Sequence, residues 1–346
     1  MTISRNNHYV PQFYLKNWSK DNKNIFVYKT IVPDKRVPIW NLQSIKKTAT
    51  MRDLYTFYDG LEESDYFEKT FGGIESDVKN IIDDILITNK VNKHHLEKLV
   101  KYLTIQLYRT PRGIKLLIDF FERTMKKFSE HEVDNLIQKS INKAKEKYKI
   151  KGKLKIRKDL EKIEFVSSFN PTRVKLNSKD NTIEISSVVV RESALNGINF
   201  LINYVYENNL KNQKWYLINA LPGFSFPTSD NPVITFRKNI NEINFTRGWG
   251  LENSIIMMPL SPKTILITKQ GSDLNLDKSA NLAFFQNTIF KIICDNADRE
   301  IYCEDKNIDI TKKRKRLVDR EVFIHEEEKK QRFNEMNKEI INKMLV

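Results

Sequence analysis

Apolar and polar residues follow two different rhythms along this chain, and the change falls near its middle. In the first half the apolar positions recur at helical spacing. From 64 to 88, Phe67, Phe71, Ile74, Val78, Ile81, Ile82 and Ile85 return every three or four residues, which predicts a long helix with Gly72-Gly73 as a candidate kink. A second helix is predicted over 94–109, with Leu96, Leu99, Val100, Leu103 and Leu107 on its buried face. Pro111 interrupts it, and "RGIKLLIDFFERTMKKF" resumes the helical pattern. The lysine-heavy stretch 130–162 reads as a helix tail running into an exposed connector. Ahead of these, "NIFVYKTIV" (24–32) and "LYTFYDG" (54–60) are β-branched and aromatic enough for strands.

The second half changes character. "NTIEISSVVV" (181–190) predicts a strand and 192–209 a helix. Short strands follow in "KWYLINA", "FSFPTSDNPVITF", "NSIIMMPLS" and "KTILITK", separated by turn-forming proline and asparagine. An amphipathic helix is expected over 277–301, and another at the C-terminus carries Phe333, Met336, Ile340, Ile341, Met344 and Leu345 on one face. Helices then strands, without βαβ alternation, indicate an α+β fold: a helix-rich N-terminal half packed on a mainly antiparallel sheet from the C-terminal half. The expected organisation is one composite domain over 1–305, with a helical subdomain at about 62–150. A basic segment and an amphipathic helix then occupy 306–346.

Composition narrows the setting. With 40% hydrophobic residues the 346-residue chain can bury a core. It shows no secretory apolar region at its start, no membrane-length apolar run and only two cysteines, Cys294 and Cys303, so a cytoplasmic, reducing setting is expected. The 59 Lys+Arg against 44 Asp+Glu give a net charge of +15, which attracts polyanions; the same excess also follows from a general lysine bias. Nucleotide-binding glycine loops and the nucleophile elbow are absent from these 10 glycines. Ser44, Ser229-Asp230-Asn231 and Lys263-Thr264 superficially echo the penicillin-binding motifs, but Ile265 stands where the third motif needs glycine. No known nuclease signature is present either.

Three segments carry more chemistry than structure alone requires. In His8-Tyr9-Val10-Pro11, Pro11 suits a helix start, and His8 just ahead of it is a candidate general base, metal ligand or structural hydrogen-bonding group. Phe13, Tyr14, Leu15 and Trp18 are candidate anchors for that helix. In "QLYRTPRG" (106–113), Gln106 and Arg109 share a helix face. Arg109 either complements the helix dipole or presents a fork to a carboxylate or phosphate, with Gln106 as a substrate-binding group. In "FPTSDNPVI" (226–234), Asp230 is the leading carboxylate, and Ser229 and Asn231 are binding candidates. An Asx turn is the structural alternative there. Glu68 and Glu75 lie on one helix face and rank lower, as does an exposed His94-His95 pair. No metal-ligand set is assigned, the cofactor is unidentified, and a divalent metal is compatible with Asp230.

Taken together, His8-Tyr9-Val10-Pro11 with Tyr14-Leu15, Gln106 with Arg109-Thr110-Pro111, Thr228 through Val233, and Pro259-Leu260-Ser261-Pro262 resemble the bacterial domain-of-unknown-function family 4238. The likeness covers about 5–303 and leaves the tail outside. It implies that the segments form one site and carries no activity with it. The expected function is a nucleic-acid- or nucleotide-directed effector, nuclease- or toxin-like and suited to bacterial defence, using His8, Arg109 and Asp230. The alternative is a non-catalytic binding or regulatory module whose motifs are structural. A third reading is a hydrolase or transferase of a small anion held by Arg109. Nucleic acid, and a protein bound by the C-terminal helix, are the candidate partners; a membrane is not.

Overall fold

The computed structural model describes residues 5–59, 62–124, 155–156, 172–177, 182–187, 191–238, 243–245, 249–272, 274 and 282–345, with isolated positions between 135 and 146. The connector expected at 130–162 lies almost wholly outside the described residues. The helices are α1 (Gln12–Leu15), α2 (Tyr66–Thr88), α3 (Lys93–Tyr108), α4 (Pro111–Thr124), α5 (Arg191–Val205), α6 (Leu282–Asn296), α7 (Ile308–Lys313) and α8 (Arg320–Leu345).

Helix α2 buries Phe67, Phe71, Val78, Ile81, Ile82 and Ile85, the stripe its periodicity requires. It runs unbroken through Gly72-Gly73 and ends at Asn89, whose left-handed φ of 52° turns the chain while its N–H caps the Ile85 carbonyl. The α3–α4 junction is built by "RTPRG". Thr110 Oγ1 accepts the N–H of Gly113 at 3.1 Å and Pro111 occupies the first helical position, so α4 starts immediately after α3 stops. Helix α5 packs on both α3 and α4, completing a helical layer.

A five-stranded antiparallel sheet runs in the order Tyr216–Asn219, Thr264–Lys269, Ile255–Ser261, Ile234–Lys238, Ile243–Asn244. A second, four-stranded antiparallel sheet joins Thr228–Ser229, Glu300–Cys303, Asn24–Lys29 and Asn41–Ser44, so strands from both ends of the chain share it. The strand Leu317–Val318 pairs in parallel with Ile31–Val32 and leads into α8. Helix α6 lies between the two large sheets. Its Ile289, Ile292 and Ile293 join the core of the five-stranded sheet, and Phe290 and Cys294 pack with Tyr28 and Ile301 of the four-stranded one. The architecture is α+β, with a helix-rich N-terminal part.

Several local expectations shift. The helix expected over 277–301 is α6, which stops at Asn296, because residues 300–303 pair with Phe26–Lys29 as a central strand of the four-stranded sheet. The helix over 192–209 ends at Val205 and passes into a wider π turn, Tyr206–Leu210. The strand read at 54–60 is only Phe57–Asp59. His8 sits at the end of a strand, Asn6–His8, paired with Thr50–Arg52, and Pro11 caps α1 from outside. Among the described residues no helix is long and apolar enough to cross a membrane.

Candidate functional site

The N-terminal segment is pinned at both ends. Tyr14, Leu15 and Trp18 are fully buried, and each polar tip finds a partner far away in sequence. The Trp18 indole donates to the Phe226 carbonyl at 2.8 Å, the Tyr14 hydroxyl donates to Pro259 O at 2.8 Å and meets Thr228 Oγ1 at 2.7 Å, and Asn17 donates to Leu260 O at 2.8 Å. The four motifs of the sequence therefore meet around this segment.

Arg109 closes α3 and is 1% exposed. Its Nε donates to Tyr9 O at 3.2 Å, one terminal nitrogen donates to His8 O at 3.0 Å, and the other pairs with the Glu75 carboxylate of α2. Gln106 adds a bond to Tyr9 O at 2.8 Å. Burial works against the charge, but Glu75 together with Tyr55 and Tyr102 more than offsets it, and the guanidinium pKa rises. Glu68, seven residues before Glu75, accepts from Asn7 at 3.1 Å, and Asn7 in turn accepts the Tyr55 N–H. Both helix carboxylates thus serve this corner. The fork of Arg109 does meet a carboxylate, one belonging to its own chain.

His8 contributes its carbonyl to Arg109. Its Nε2 is buried without a hydrogen-bonding partner among the described residues. Burial lowers its pKa, helped by the Arg109 charge.

Asp230 forms a second clamp. One oxygen accepts the N–H of Asp298 at 3.0 Å; the other accepts those of Arg299 and Glu300 at 2.6 and 3.1 Å. Its own N–H donates to Glu300 O. Burial, and then the charge of Asp298, push its pKa up to about 7, against the pull of the backbone donors. The loop is built around the ionised form, because backbone N–H groups converge on both oxygens. Ser229 Oγ accepts the Asn231 N–H at 3.2 Å, so the turn here is closed by the serine hydroxyl and not by the Asx side chain expected from the sequence. Asn231 joins the two clamps: its side-chain oxygen accepts from Thr110 at 3.0 Å, and its carbonyl accepts from Asn296 at 2.9 Å.

Between these clamps and α8 lies a cavity of about 1120 Å³. Tyr9, Arg112, Asp230, Asn231, Arg299 and Glu300 line one side; Phe323, Glu326, Lys330 and Phe333 of α8 line the other. Arg112 donates to Asn296 O at 2.7 Å and pairs with Asp298 at 3.0 Å. Arg299 holds Glu327 and Glu326 of α8 at 2.6 and 3.2 Å. Lys29 and Lys330 also line the cavity and make no ion pair among the described residues.

The structure thus ties Arg109 and Gln106 to the backbone of His8 and Tyr9, and connects Asp230, Ser229 and Asn231 into the adjacent loop. Of the six expected site residues, Asp230 and Asn231 line the large cavity, and Gln106 with Asn231 lines a small neighbouring one. His8, Arg109 and Ser229 line neither. Sequence reasoning passed over Tyr9, Arg112, Arg299 and Glu300. Tyr9 and Arg112 lie inside quoted motifs and signalled themselves by that position; Arg299 and Glu300 gave no signal, since only the Asp230 clamp brings them in. His95, expected to be exposed, is buried beside His94 and faces Asp84 at 3.6 Å. Among the described residues no three His, Cys, Asp or Glu side chains are placed to share a metal ion.

Comparison with curated proteins and with solved structures gave no match. A family model matches residues 6–343, so α8, expected from the motifs to fall beyond the shared region, lies inside it. The chain belongs to the family described as protein of unknown function (DUF4238).

Proposed function

We propose that the cavity beneath α8 binds a nucleotide, free or at the end of a nucleic-acid chain, through its phosphates. The observation that carries this reading is the cavity itself: about 1120 Å³, with Lys29 and Lys330 on its walls making no ion pair among the described residues. Arg112, Lys115 and Arg299 are there too, held by Asp298, Asp119 and Glu326 with Glu327, carboxylates a phosphate would have to displace. Small-molecule sites commonly occupy ~300–1,000 Å³, so a nucleotide fits with room for a neighbour. Arginine offers phosphate a planar, two-pronged donor set, and the net charge of +15 supplies long-range attraction. Arg112 takes the anchoring role that Arg109 was expected to fill, since Arg109 is buried and lines no cavity, whereas Arg112 lines this one, where a phosphate would compete with Asp298 for it. In its enzymatic form this reading is a nuclease- or toxin-like effector, with the Glu300 carboxylate on the cavity wall as the candidate general base.

A second reading is supported by the clamps. Arg109 and Asp230 direct their polar atoms at backbone, as expected of a non-catalytic module whose motifs hold its shape.

Fluorescence anisotropy with labelled single-stranded RNA, single-stranded DNA and a nucleoside triphosphate, at low and moderate salt, tests binding. Arg112→Ala is expected to weaken binding about tenfold, in line with the ~1.5–3 kcal/mol of a charge-assisted hydrogen bond, and to flatten the salt dependence. No binding at low salt, or binding indifferent to Arg112→Ala, defeats the proposal. Cleavage assays with and without divalent cations then separate the enzyme from the module.

A further inference from the structure

Glu300 lines the cavity with its backbone fixed by the Asp230 clamp. Its N–H donates to Asp230 at 3.1 Å, its C=O accepts the Asp230 N–H at 3.1 Å, and it begins the strand Glu300–Cys303. Two residues along, on the same strand face, fully buried Tyr302 donates its hydroxyl to Glu300 Oε2 at 2.9 Å. Tyr9, whose carbonyl is held by Gln106 and Arg109, lines the same cavity as Glu300.

The direction of the Tyr302–Glu300 bond is set by counting protons. An ionised carboxylate only accepts. Tyr302 has one hydroxyl proton and gives it to Glu300. Glu300, which lines the cavity, therefore offers acceptor lone pairs and no proton. Burial pushes the Tyr302 pKa up, which keeps the phenol protonated and the direction fixed.

We propose that Glu300, oriented by Tyr302 and flanked by Tyr9, is the specificity-determining group of the cavity, and that it selects ligands carrying a hydroxyl or amine donor. Resting on the nucleotide reading above, this assigns the two ends of the ligand to different walls: phosphate to Arg112 and Arg299, and a ribose hydroxyl or base amine to Glu300. Tyr302 is a positioning residue and does not contact the ligand.

The test compares nucleotides that differ by one donor. Adenosine, 2′-deoxyadenosine, 3′-deoxyadenosine and purine riboside monophosphates are titrated into the full chain by calorimetry. The wild type is expected to lose at least about tenfold in affinity for one of the donor-deleted analogues, the scale set by a hydrogen bond to a charged group. Glu300→Gln is expected to weaken adenosine monophosphate by a similar factor and to shrink that discrimination to about twofold; Tyr302→Phe shrinks it partly, with phosphate affinity retained. Equal binding of all four by the wild type overturns the inference even if a variant fails to fold. So does uniform tightening in Glu300→Gln, which marks a carboxylate that only repels phosphate. If the wild type binds none of the four, the nucleotide reading itself falls and takes this inference with it.

Discussion

Leaving a buried charge without its partner costs about 3–5 kcal/mol, so a buried arginine is kept only where its donors are answered. Arg109 meets that condition through Glu75 and the carbonyls of His8 and Tyr9, and the same bonds fix where Tyr9 points. His8 is held beside it with its pKa below the ordinary 6.5, because burial and Arg109 both disfavour the imidazolium, while Glu75 and the backbone at Ile45 and Lys46 favour it. The consequence for stability has a definite sign. The unfolded chain takes up a proton more readily, so this contribution is whole above about pH 6.5 and is lost as pH falls through the lowered value. Melting temperatures measured from pH 7.5 to 5 are expected to fall less steeply for His8→Gln than for wild type. Parallel profiles would show that His8 does not titrate differently in the fold.

At the scale of elements, the glycines separate backbone constraint from accident. A β-carbon on Gly113 would lie 2.5 Å from Leu107 O and 2.6 Å from two backbone atoms of Tyr108, because α4 turns back tightly on the end of α3. On Gly197 it would meet the tip of the Phe121 ring at 2.7 Å, a neighbour that can move. On Gly73, inside α2, it meets nothing within 4 Å. Gly113→Ala is therefore expected to cost ~1–3 kcal/mol or more by overpacking against backbone that cannot yield. Gly197→Ala should cost less, and Gly73→Ala should stabilise by up to ~1 kcal/mol through helix propensity. Denaturant midpoints at constant slope would read the three directly. A Gly113→Ala protein as stable as wild type would mean the α3–α4 junction is looser than described.

Across the whole molecule, the N-terminal segment joins parts that are distant in sequence. Trp18 fills the main core and bonds the Phe226 carbonyl, next to the four-stranded sheet in which strands 24–29 and 300–303 pair. Trp18→Ala is expected to cost ~3–5 kcal/mol, and to do so in one transition seen alike by far-ultraviolet and aromatic circular dichroism. Two separate transitions would show that the halves are independent units.

The helices α2, α3 and α4 and the apolar side of each could be read from the chain alone. Helical burial repeats within a few residues, so the information is local. The anchoring residues of 8–18 were legible too, since Tyr14, Leu15 and Trp18 are too costly to leave in water. The motifs marked the right neighbourhood for the same reason, by gathering polar groups that a core must answer. What they could not show was direction. Whether Arg109 faces a ligand or Glu75, whether His8 or Tyr9 turns to the cavity, and that Asp230 places Arg299 and Glu300 all depend on strand pairings and contacts between residues up to about a hundred positions apart. Periodicity fixes which side of an element is buried; only the assembled fold decides which buried polar group meets which, because that pairing is set by distances across elements that no local pattern encodes.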